Sequence, residues 1–97
     1  MESGEAHRVL GALMARGLSL PLPSDQVHVI QNGVKVPLET LGREAVWKYE
    51  KAVGTAYKDW LSLEGSDLLA LPTASAAKVI ERRATAIKAR ARAQVTR

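Results

Sequence analysis

Apolar residues recur at helical spacing from the start of the chain. Ala6, Val9, Leu10, Leu13 and Met14 follow i, i+3, i+4, i+7 and i+8, which predicts a helix over 4–16 with one buried face. Ser3 is placed to cap it, Glu5 suits its positive end, Arg16 falls in its last turn and Gly17 is a natural residue to end it. The pattern then shortens. In Leu18-Ser-Leu-Pro-Leu-Pro the prolines block both helix and central strand, so an extended segment lays Leu18, Leu20 and Leu22 on a core. Val27-His28-Val29-Ile30 and Val34-Lys35-Val36 are β-branched runs around Asn32-Gly33, the pair favoured where both turn residues need positive φ. A hairpin follows, closed at Pro37, which has no amide proton for a further ladder bond.

Helical spacing returns after Thr40, the expected cap, and runs to about Leu63. Ala45, Val46, Tyr49, Val53, Ala56, Tyr57, Trp60 and Leu61 share one face. Glu44, Lys48, Lys51, Thr55, Asp59 and Ser62 share the other. Glu64-Gly65-Ser66-Asp67 reads as a break, after which Leu68, Leu69 and Leu71 return to the core before Pro72. Thr73 or Ser75 then caps a final helix through about Ala93. The fold class expected is α+β: a two-stranded β-hairpin packed with three α-helices, the last long, basic and protruding or docked on a partner. Residues 1–72 form a helix–hairpin–helix body and 73–97 the basic C-terminal helix, within one domain.

Composition narrows the function classes. The chain has 97 residues, 46% of them hydrophobic and 25% charged, so neither a disordered nor a collagen-like chain fits. The lack of cysteine removes disulfide frameworks, thiol nucleophiles and cysteine-ligated zinc. The acidic N-terminus and the interrupted apolar runs argue against a signal peptide and a membrane span, so the expected location is the cytoplasm or a virion. His7 and His28 have no partner at catalytic or ligand spacing, and no nucleophile elbow or phosphate loop is present. The expectation is a protein that is not an enzyme and uses no cofactor or metal.

Charge is divided unevenly along the chain. Residues 78–97 carry seven basic side chains against one acid, Glu81, a net +6; residues 1–77 carry a net −2. Such asymmetry points to a polyanion or an acidic partner surface, although arginine and lysine also serve simply to solvate a helix. In the last helix Ile80, Ala84, Ile87, Ala91 and Gln94 recur at heptad-like spacing, with Arg83, Arg90 and Arg97 along one flank and Lys88 and Arg92 on the other. So thin a stripe needs an intramolecular groove, a second copy or another protein to persist. Tyr49, Tyr57 and Trp60 read as core. Trp47 lies off that arc beside Lys51, Gly54 and Lys58, where it can contact a partner or stack under a cation. The candidate partner-binding residues are therefore Trp47, Ile80, Arg83, Ala84, Ile87, Arg90, Ala91 and Arg92.

The order helix, Asn-Gly hairpin Val27–Val36, helix within residues 4–63 resembles the small head-completion proteins of tailed phages, the lambda W family. The resemblance implies a structural subunit that assembles as a ring between capsid and tail. It is one of pattern over about 60 residues, and the Leu-Pro segment and the long basic helix depart from it. Together these readings point to a small assembly module, a homo-oligomer of virion-connector type, with a nucleic-acid-binding or regulatory protein using the same basic helix as the alternative. A zinc-finger pattern and the aromatic motifs of RNA-binding domains are missing, so nucleic-acid contact rests on charge alone.

Overall fold

The structure is a computed structural model that describes residues 2–21 and 27–95; the side chains of Glu2 and Ser3 lie outside that description, as do Leu22 and Arg97. Helix α1 spans Glu2–Ala15, strands β1 and β2 span His28–Gln31 and Val34–Pro37, and helices α2 and α3 span Arg43–Leu69 and Thr73–Val95. This is the expected α+β arrangement of a two-stranded antiparallel hairpin with three helices. At 1.5 Å per residue the 27 residues of α2 measure about 40 Å, which sets the long axis of a body 44 × 28 × 18 Å across. Both α1 and α3 pack against α2.

The first helix buries Ala6, Val9 and Leu13, with Leu10 against the edge of the core. Met14 is 60% exposed, contrary to its predicted place on that face, because it lies about 100° around the helix from Leu13. The helix spans Glu2–Ala15, so Ser3, the expected cap position, lies within it. Its end is as expected. Gly17, at φ 84°, donates to the Met14 carbonyl and Leu18 to that of Leu13, the paired bonds of a Schellman motif.

Arg16, just beyond the helix, does more than complement its dipole. Its guanidinium donates to the carbonyls of Leu69 (3.1 Å) and Leu71 (2.7 Å) and to Thr73 Oγ1 (3.1 Å). One side chain thus satisfies carbonyls left open where α2 ends and ties α1 to the turn into α3. Leu18 and Leu20 flank the core as expected; the expectation for Leu22 falls outside the described residues.

The hairpin turns at Asn32 (φ 52°) and Gly33 (φ 79°), both left-handed, as a two-residue type I′ connection requires. Val29 pairs with Val36 and Ile30 with Lys35. Val27 and Val29 are buried and Val36 half-buried, so alternation sends this face to the core and leaves His28 and Ile30 outside.

The second helix departs from expectation at both ends. Thr40 sits in a short 3-10 turn, Leu38–Leu41, and α2 starts after Gly42, which has φ 105° and no side-chain cap. At the other end residues 64–67 do not break the helix, which runs on to Leu69. Gly65 is buried, facing Val9 of α1 so closely that an added Cβ would lie 2.6 Å from Val9 Cγ2. Its absent side chain is what admits α1, and the packing gained outweighs a helix-propensity cost of about 1 kcal/mol.

A three-residue turn, 70–72, then reverses the chain into α3, forming an αα-hairpin. Ile80, Ala84, Ile87 and Ala91 are buried in the core of this single chain. Of the three settings open to this stripe, the intramolecular groove is the one found: alanine at 84 and 91 lets α3 lie against α2, and most of the surface of all four residues is spent within the chain.

Candidate partner-binding groove

Docking the seam onto α2 exposes the flanks of α3. A groove of about 680 Å³ runs between α2 and α3, with no residue of α1 in its lining. Ala52 and Ala56 from α2 and Ala86 from α3 line it with short side chains, and the edges of the buried Ile87 and Ala91 reach its floor. Lys48, Lys51, Arg83 and Arg90 supply four positive charges around it and Asp59 one negative. Along α2 it extends from Trp47 to Asp59, about 18 Å of helix.

The charges are not equivalent. Arg83 Nη2 lies 3.6 Å from Glu64 Oε2, and the guanidinium sits 5.7 Å from the centroid of the Trp60 ring. Arg83 is therefore partly neutralised and covers a core tryptophan. At the other end Trp47 is 56% exposed, with Lys51 Nζ 4.9 Å from its ring centroid. Because α3 runs back along α2 from Arg83 over Trp60, Arg90 comes level with about residue 53 and, with Lys48 and Lys51, makes the Trp47 half of the groove basic. Neither Lys48 nor Arg90 has an acidic side chain in salt-bridge range among the described residues. The groove is thus strongly basic at the Trp47 end and balanced at the Asp59 end.

Of the eight candidates, Trp47, Arg83, Ile87, Arg90 and Ala91 line this groove. Ile80 and Ala84 belong to the core. Arg92 is half-buried on another side of α3, where its charge acts on the Tyr49 hydroxyl. The α2 rim, Lys48, Ala52, Thr55 and Asp59, was missing from the candidate set. Its signal was Trp47 among lysines, which marked the face of α2 but not its juxtaposition with α3.

Tyr49, Tyr57 and Trp60 are core residues, as their spacing predicted. The Tyr57 hydroxyl donates to the Pro21 carbonyl at 3.3 Å. The Tyr49 hydroxyl is buried without a hydrogen-bond partner among the described residues; burial pushes its pKa up, and Arg92 opposes part of that shift. Burial likewise raises Tyr57, with a further upward push from Tyr49.

His7 and His28 are exposed, and no cluster of three or more metal-ligating side chains exists among the described residues. Among the described residues no helix is long and apolar enough to cross a membrane. No protein-family model, curated protein or solved structure matches the chain.

Proposed function

We propose that this protein is a non-enzymatic assembly module that holds a neighbouring component in the α2–α3 groove. The observation that carries this reading is the union, on one face, of an exposed tryptophan, a floor of small side chains and a cluster of cations at one end. Proteins bind one another through such features: an aromatic anchor, an apolar centre and a charged rim. The basic C-terminal helix contributes chiefly through its flank, Arg90 and its neighbours, with only the edges of Ile87 and Ala91 reaching the floor. The setting we favour is an oligomeric connector of a tailed-phage particle. The α1–hairpin–α2 order supports it, since that order resembles the head-completion proteins.

Light scattering with and without duplex DNA tests this function. A solution mass several times 10.5 kDa without DNA is the expected result. A chain that stays at 10.5 kDa and gains mass only on DNA, with binding that falls steeply between low and physiological salt, would replace it with the nucleic-acid reading. That second reading draws on the same feature, because cations beside an exposed aromatic also suit a single strand.

A further inference from the structure

Resting on that reading, the geometry points to the chemistry of the occupant: we infer that the α2–α3 groove takes an amphipathic α-helix of a partner protein, with its acidic residues at the Trp47 end. Shape comes first. Two antiparallel helices whose facing rows are low, Ala52 and Ala56 on one side and Ala86 and Ala91 on the other with Ile87 sunk between them, leave a trough into which the ridge of a third helix fits. The first helix cannot fill it, being packed elsewhere on α2. The trough matches about three turns of partner helix, enough for apolar residues at i, i+3 or i+4, and i+7 to cover the floor.

Charge sets the occupant's chemistry and orientation. Lys48, Lys51 and Arg90 at the Trp47 end have no acid opposite them in the lining, whereas Arg83 at the far end is held by Glu64 and shares its end with Asp59. An occupant with acids along its whole length would meet Asp59, at an end where Arg83 is already paired with Glu64. One with acids at a single end complements the groove throughout. A nucleic-acid strand fits less well. It needs successive stacking platforms, and Trp47 is the one aromatic in the described lining.

The test uses the full chain and two fluorescein-labelled helical peptides of about 18 residues, roughly 27 Å long. Both carry one leucine stripe; one has glutamates and the other lysines flanking one end. A labelled oligothymidylate is the third probe. Fluorescence anisotropy is expected to show the glutamate peptide bound at least about tenfold more tightly than the lysine peptide. Lys48→Glu with Arg90→Glu, both exposed and outside the core, is expected to reverse that order while the circular dichroism spectrum is retained. Equal binding of the two peptides, or a preference that survives the charge reversal, overturns the inference. Binding of oligothymidylate without the glutamate peptide overturns it in favour of nucleic acid. Binding of no probe by a chain that light scattering finds oligomeric overturns this inference and leaves the assembly reading standing; the same result with a monomer removes both.

Discussion

Two glycines of α2 should respond to alanine with opposite signs. Gly54 is exposed, and an added Cβ would meet nothing within 4 Å. Gly54→Ala should therefore stabilise by up to about 1 kcal/mol, the usual propensity gain in a helix interior. Gly65 would gain the same propensity, but its Cβ would lie 2.6 Å and 2.8 Å from the two Val9 methyls and 3.1 Å from Val9 Cβ. Valine is stiff and Val9 is 0% exposed, so it has nowhere to rotate. Relief requires moving α1, and overpacking of this kind costs about 1–3 kcal/mol. With the contact to Val9 Cβ included, the upper part of that range applies, leaving a net loss of about 1–2 kcal/mol.

In a chain of this size each kcal/mol moves the thermal midpoint by about 4–8 °C, so circular dichroism melts of the two variants should diverge clearly. A double-mutant cycle isolates the cause. Val9→Ala alone leaves a void and costs about 2 kcal/mol. It also removes both methyls, so Gly65→Ala in that background should be neutral or stabilising. If Gly65→Ala in the parent raised the midpoint as Gly54→Ala does, α1 would not cross α2 at this point.

Gly33→Val forces a β-branched residue to positive φ in the hairpin turn and should cost about 1–3 kcal/mol by urea titration; an unchanged midpoint would misplace the turn. Trp60→Ala should cost about 3–5 kcal/mol and Trp47→Ala well under half that, with acrylamide quenching Trp47 preferentially; equal quenching would contradict the two exposures. Tyr49→Phe removes a buried hydroxyl that has no partner, so it should stabilise by about 1 kcal/mol. The pKa of Tyr49 is raised above 10.0 in the fold, so the unfolded chain ionises first; stability is complete below pH 10 and falls as pH rises past it. Tyrosinate absorbance at alkaline pH checks this, and Tyr49→Phe should lessen the fall. Ala84→Glu buries a charge in the α2–α3 seam and should cost at least about 3 kcal/mol at every protein concentration; a loss confined to dilute samples would mean that the seam joins two chains.

Local chemistry made much of the fold legible. Asn32-Gly33 specified the hairpin because few dipeptides accept two positive φ angles, and β-branched alternation chose the face that meets the core. The face of α2 was legible because eight apolar positions repeat at one period. The end of α2 was not. Gly65 carries the same propensity cost whether it stops a helix or lets another cross it, and only Val9, more than fifty residues away in sequence, decides between them. Arg16 was similarly ambiguous: as a cation in a last turn it needed no further explanation, and its carbonyl partners lie beyond residue 68.

The last helix shows where reasoning from one element misleads. Two isoleucines and a few alanines bury too little area to hold over twenty residues in place, which argues for a contact from outside the chain. That reckoning counts one side of the interface. When α3 lies down, α2 is covered as well: Arg83 roofs the Trp60 ring, a large apolar surface that the count of α3's own residues leaves out. The aromatic cost and gain sit on α2, and a short turn braced by Arg16 lowers the entropy of bringing the two together. Once the seam is spent inside the chain, function has to be sought on what its docking creates. The residues that matter then divide by direction: those pointing into α2 build the scaffold, and Arg90, on the wall of the trough opposite the one that carries Trp47 and Lys51, belongs to a surface that neither helix displays alone.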